Sequence, residues 1–167
     1  MDMRALLVDD DASCLDALRS ALKLFPQVTV TAAVPGGREA LPVLHQGGID
    51  LVFLDIEMEE FSGFELARHI HTVYPNVLFI FLTGHVDFAL EGYEYAPVDF
   101  LVKPVNPLRL ERALHRAEEL LAGRREYPDG DERIGIRTNS GVEVIPVGDI
   151  FFVEKKGGKI LLVDKSG

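Results

Sequence analysis

The chain has 167 residues, 47% of them hydrophobic, and a net charge of −10, which is enough apolar material for one full core and part of a second. No apolar run approaches the roughly 18 residues of a membrane span, and the N-terminus enters a strand-like run rather than a charged-then-apolar leader. Residues 1–122 hold 9 Lys and Arg against 19 Asp and Glu, and residues 123–167 hold 8 of each, so this chain as it stands is not expected to bind DNA strongly.

Apolar runs alternate with helix-period segments. The pattern predicts strands near 4–9, 28–33, 51–55, 77–82 and 98–102, and helices over 12–24, 37–46, 63–74, 86–95 and 106–122. Strands apolar on both faces, each followed by a helix, imply an α/β fold: a five-stranded doubly wound parallel sheet covered on both sides. Cys14, the single cysteine, falls on the first predicted helix and reads as a small apolar residue of a buried face. It permits no internal disulfide, which suits a reducing cytoplasm. Pro42 is awkward inside a helix, so the second helix is expected to start late or kink there. Ser62 and Glu65 have capping-box spacing ahead of Phe64, Ala67, Ile70 and Val73. Asn106 followed by Pro107 marks a helix start.

After Gly123 the character changes. Residues 123–132, with Pro128, Asp129 and Gly130, read as a linker. Beyond it, Ile134 to Thr138 and Val142 to Pro146 alternate around Asn139-Ser140-Gly141, and Ile150 to Val153 and Ile160 to Val163 suggest two more strands. Four short strands are thin for a stable domain, so 133–167 is expected to be a β-rich fragment.

The strand ends carry the chemistry. Ala5-Leu6-Leu7-Val8 ends in Asp9, Asp10 and Asp11; Leu51-Val52-Phe53-Leu54 ends in Asp55; Leu78 to Leu82 ends in Thr83; and Val98 to Val102 ends in Lys103-Pro104. In open α/β sheets such ends converge on one crevice. Asp9, Asp10 and Asp55 brought together would repel by ~4 kcal/mol per pair at about 4 Å, so they stay ionised only around a cation. Hard carboxylate oxygens suit Mg²⁺, and a carboxylate beside Mg²⁺, a lysine and a hydroxyl is equipped to take up a phosphoryl group as an aspartyl phosphate. Helix caps and a surface lysine would explain any one of these residues, but not all four strand ends together.

Val8-Asp9-Asp10-Asp11, Leu54-Asp55-Ile56-Glu57-Met58, Ser62-Gly63, Thr83 and Lys103-Pro104 resemble, over residues 3–122, the flavodoxin-like receiver domain of two-component response regulators, so 1–122 is expected to be that domain. The resemblance implies that Asp55 accepts phosphate from a sensor histidine kinase. It also implies that Asp10, Asp9, Asp55 and the Glu57 backbone carbonyl hold Mg²⁺, and that Thr83 and Lys103 are the switch hydroxyl and the phosphate-binding lysine. Phe100 takes the aromatic switch position, Lys103-Pro104 is expected to be cis, and self-dephosphorylation, rather than turnover of a substrate, is the activity implied. Glu59 stands where the family often has Pro, and Glu57 adds an acid near the phosphoryl group.

Thr83 to Glu94 with Val98 to Pro104, and then Ile134 to Arg137, Val144 to Pro146 and Asp149 to Glu154, resemble the LytTR subgroup. That resemblance makes 133–167 the incomplete N-terminal part of a LytTR-type DNA-binding domain and the full-length protein a cytoplasmic transcription regulator of promoter DNA. Lys155, Lys156 and Lys159 would fall in its first contacting loop, although a plain basic hairpin explains them equally well.

Asp87, Glu91 and Glu94 form an acidic stripe at helical spacing, and Arg109, Arg112 and Arg116 a basic one. Two copies about a twofold axis would set acid against base, so homodimerisation on phosphorylation is expected through this face. Pairing within one chain is the plainer alternative. A phosphorelay or protein-interaction receiver without DNA output is the competing function. A haloacid-dehalogenase-type phosphohydrolase, suggested loosely by Asp55-Ile56-Glu57, would place its acid pair after the first strand. His69 and His71, two residues apart on a helix, face different ways and do not suggest a metal pair.

Overall fold

The computed structural model describes residues 2–85, 95–126, 133–138, 141–146, 150–156 and 159–164, with side chains up to residue 123. The chain divides into two compact units, Met1–Leu121 and Ala122–Gly167.

Along the chain, β1 (Met3–Val8), α1 (Ala12–Leu22), β2 (Val28–Val34), α2 (Gly37–Gln46), β3 (Leu51–Asp55), α3 (Gly63–Val73), β4 (Leu78–Thr83), β5 (Phe100–Val102) and α4 (Pro107–Glu126) succeed one another, and the first unit ends within α4. All strand pairs are parallel, in the order β2-β1-β3-β4-β5. Every residue of β3 and β4 is buried, as expected of central strands covered on both faces.

Successive side chains point to opposite faces of a strand, and the core divides accordingly. Leu7, Phe53, Ile80 and Leu82 pack with Leu18 and Leu22 of α1 and with Leu110, Leu114 and Ala117 of α4. Leu6, Val52, Leu54 and Phe81 pack with Ala40 and Leu44 of α2 and with Leu66, Ala67 and Ile70 of α3. Among the described residues, the alternating sets tie two helices to each face. With the strands parallel, the C-terminal ends of all five open on one side.

Several boundaries differ from those expected. α1 ends at Leu22. α2 begins at Gly37 with Pro42 inside it, so the late start did not occur. Gly47 and Gly48, at φ 76° and 80°, turn the chain out of that helix in a region that favours glycine. β5 is limited to Phe100–Val102, although Val98 N–H still donates to the Phe79 carbonyl and Phe81 N–H to the Asp99 carbonyl. α4 runs to Glu126, into the segment expected to be linker. Arg124, Arg125 and Glu126 are good helix formers, and the first proline after them is Pro128. The helix expected over 86–95 lies almost wholly outside the described residues.

The second unit contains two antiparallel hairpins, β6 (Arg133–Thr138) with β7 (Gly141–Pro146), and β8 (Ile150–Lys156) with β9 (Lys159–Asp164). The four strands fall where alternation predicted them.

Candidate functional site

β1 delivers Asp9, Asp10 and Asp11 to the open edge, each to a different fate. Asp11 caps α1: its Oδ1 accepts from the Ser13 amide at 2.8 Å and the Ser13 hydroxyl at 2.6 Å, which holds its pKa below the usual carboxylate range. Asp10 is exposed. Asp9 is buried, and its Oδ1 accepts from the Asp11 amide at 2.9 Å. Val8 pairs with Leu54, so Asp9 and Asp55 leave neighbouring strands side by side.

Asp55 is 2% exposed. Its loop leads through Ser62, whose hydroxyl accepts from the Glu65 amide while the Glu65 carboxylate accepts from the Ser62 amide, the capping box its spacing predicted. Gly63 passes so close to Asp55 that a Cβ there would collide with the Asp55 carbonyl oxygen and lie 2.7 Å from Ile56 Cα. Only glycine allows this approach.

Lys103 follows β5 across a cis bond to Pro104, as expected. Its amide donates to the Thr83 carbonyl at 2.8 Å. Its Nζ lies 2.7 Å from Asp9 Oδ2 and 3.1 Å from Asp55 Oδ1. Those two oxygens are fully buried and have no hydrogen-bond partner of good geometry, so the ammonium meets them as a charge. Burial pushes the Asp55 carboxyl up to about 6; Lys103 opposes that shift and Asp9 adds to it. Burial works against the Lys103 ammonium too, but Asp9 and Asp55 outweigh it and raise its pKa.

Carboxylate oxygens of Asp9, Asp10 and Asp55 all lie within 4.8 Å of one another. Three hard oxygens, on two buried side chains that each keep one oxygen without a hydrogen-bond partner and on exposed Asp10, fit a divalent cation such as Mg²⁺. Thr83 is 1% exposed; its hydroxyl donates to the His85 carbonyl at 2.8 Å and accepts from the His85 amide at 2.9 Å. Phe100 is half-buried and stacked on Phe81, ring centroids 5.2 Å apart.

Residues 5–115 match the family model of the response regulator receiver domain. The chain belongs to that family. A receiver domain of a two-component system therefore accounts for the first unit, and its fold is the five-stranded parallel arrangement the resemblance implied. Among relatives, this receiver chain is 30% identical to the transcriptional regulatory protein NatR of Bacillus subtilis over 157 residues, 94% of this chain and 66% of NatR. It is 31% identical over 160 residues to the positive alginate biosynthesis regulatory protein of Pseudomonas aeruginosa, 90% of this chain and 64% of that protein. The chain thus spans less than two thirds of either relative. Among solved structures, the receiver domain of the response regulator AraT from Geobacillus stearothermophilus superposes with a TM-score of 0.66 at 27% identity, covering 74% of this chain and 99% of that one.

The structure thus brings together Asp9, Asp10, Asp55 and Lys103, with Thr83 one residue beyond the β-partner of Asp55. Two members of the basic stripe pair within the chain. Arg116 lies 2.6 Å and Arg109 3.4 Å from the carboxylate of Asp99 in the same chain, because Asp99 faces α4 where β5 begins. Arg112 is exposed, with no ion-pair partner among the described residues. Asp87, Glu91 and Glu94 lie outside the described residues. Lys155 and Lys156 end β8 and Lys159 begins β9, so they meet at the hairpin tip; their side chains fall outside the described part. His69 is half-buried with its ring 5.8 Å from that of Tyr74, and His71 is exposed, so the two do face different ways. No helix among the described residues is long and apolar enough to cross a membrane.

Sequence reasoning missed His85. Its backbone holds the Thr83 hydroxyl, and its Nε2 lies 3.7 Å from Glu57 Oε1. The only signal for it was its place two residues after the strand-end threonine.

Proposed function

We propose that Asp55 is the phosphoacceptor of a two-component response regulator, taking a phosphoryl group from a sensor histidine kinase. The observation that carries this is the buried Asp9–Lys103–Asp55 array at the ends of three strands. With its carboxyl near 6, Asp55 is mostly ionised at neutral pH, as an attacking oxygen must be. A carboxylate oxygen attacks phosphorus, the new O–P bond forms as the donor's N–P bond breaks, and the donor imidazole leaves with the electron pair and takes up a proton. Lys103 would balance charge on the transferred group, and Thr83, once its hydroxyl turns away from His85, would hydrogen-bond one of its oxygens. Mg²⁺ held by Asp9, Asp10, Asp55 and the Glu57 carbonyl would supply further charge neutralisation. The domain accepts and loses its own phosphate and turns over no separate substrate.

In the full-length protein, the relative NatR, named as a transcriptional regulatory protein, supports promoter DNA as the output, with the second unit as the start of a LytTR-type domain in a cytoplasmic regulator. Dimerisation through Arg112 and the acidic stripe, with Phe100 as the aromatic switch, is the accompanying change. A receiver acting through protein contacts alone is the second reading, favoured by the neutral charge of residues 123–167. Acetyl phosphate with Mg²⁺ is expected to add one phosphate by mass, and none to Asp55→Asn. Equal labelling of that variant would overturn the assignment.

A further inference from the structure

A hydroxyl has one proton to donate, and Thr83 gives its own to the His85 carbonyl at 2.8 Å while accepting from the His85 amide at 2.9 Å. It therefore has none left for a phosphoryl oxygen on Asp55. Both bonds go to one residue, so a single rotation of the side chain breaks both. The Thr83 backbone is fixed, because its carbonyl accepts from the Lys103 amide at 2.8 Å. What turns the hydroxyl is therefore the Thr83 side-chain torsion. Gly84, between the two partners, has open space where a Cβ would stand except for Glu57 Oε2 at 3.5 Å.

We propose that His85 is a positioning residue whose backbone latches the Thr83 hydroxyl in a state unable to bind the phosphoryl group. This rests on the phosphoacceptor role of Asp55 and the phosphate-binding role of Thr83 proposed for this site. A ligand that binds only the unlatched state sees its affinity reduced by the fraction of molecules unlatched. The latch thus sets how strongly the phosphoryl group is felt. The His85 imidazole, 3.7 Å from Glu57 Oε1, ties the latch residue to the loop that carries Asp55. That pair is exposed, and exposed pairs contribute little, so the two backbone bonds carry the effect.

His85→Pro removes the amide donor and His85→Ala keeps it, while both lose the imidazole. Apparent affinity for beryllofluoride with Mg²⁺, measured by calorimetry, is expected to be about 2- to 10-fold tighter in His85→Pro than in His85→Ala, the range of one net hydrogen bond. The ratio is expected to collapse to one when both are made in Thr83→Val, which has no hydroxyl to latch. A ratio of one in the presence of Thr83, or one that persists in Thr83→Val, overturns the latch. Phosphate labelling of Asp55→Asn tests the underlying reading separately. Should His85→Pro fail to fold, amide exchange in the unaltered protein decides. The His85 N–H is expected to be protected in the free protein and to exchange at least tenfold faster with beryllofluoride bound. Unchanged protection overturns the proposal.

Discussion

The Lys103 ammonium sits 2.7 Å from Asp9 Oδ2, closer than its 3.1 Å approach to Asp55 Oδ1. The acidic pocket therefore carries its own cation. Lys103→Met would leave two buried carboxylates facing each other, and removing one partner of a buried charge cluster costs about 3–5 kcal/mol. Urea unfolding in a chelator is expected to show a loss toward the lower end of that range, because the lysine is 21% exposed. Millimolar Mg²⁺ should restore part of it, since a ligand bound only by the folded state stabilises that state. An equal loss in both buffers would mean that the metal and the lysine do not serve the same acids.

Asp55 makes a pH prediction with a definite sign. Its carboxyl is raised from 3.8 to about 6 in the folded chain, chiefly by burial. Between those values the folded protein keeps a proton that the unfolded chain has released. Stability from this group is therefore present below about pH 4 and is lost as pH rises through about 6. Asp55→Asn should flatten that portion of the profile and be more stable than the parent at pH 7 by roughly 1–3 kcal/mol without metal. Chemical unfolding between pH 4 and pH 8 checks this. A variant less stable than the parent at pH 7 would contradict it.

Gly63 meets Asp55 and Ile56 backbone atoms that have no flexible end to yield. Gly63→Ala is expected to cost about 1–3 kcal/mol or more, the range for overpacking, and to slow phosphate labelling because the Asp55 loop must shift. Thermal unfolding and labelling rate should fall together. A stable variant that labels slowly would place the effect on geometry alone.

Arg112 is the member of the basic stripe not engaged with Asp99. Arg112→Glu should therefore weaken a dimer loaded with beryllofluoride by roughly 2- to 10-fold at low salt, and by less at high salt. Arg109→Ala and Arg116→Ala should instead show their main effect in unfolding of the monomer, through the loss of Asp99. Sedimentation equilibrium separates these outcomes. An unaffected dimer in Arg112→Glu would remove the face from consideration.

Local features were legible along the chain because they depend on neighbours. The apolar runs Ala5 to Val8, Leu51 to Leu54 and Leu78 to Leu82 are buried strands, the Ser62–Glu65 box caps α3, and Asn106 Oδ1 accepts from the Leu108 amide at 2.9 Å at the start of α4. The residues that could meet were legible too, since parallel strands with helical crossovers place their ends on one edge. Which of them touch was settled in three dimensions. Strand register set Asp9 beside Asp55, so that a lysine 48 residues beyond Asp55 in sequence could lie between them. Asp99 pairs with two arginines, still exposed, of a stripe whose spacing alone implied a partner outside the chain. The Thr83 hydroxyl turned to the backbone two residues ahead of it, a choice no side-chain pattern encodes. Periodicity and capping act over three or four residues, whereas charge pairing and hydroxyl orientation depend on distances that only the packed sheet creates.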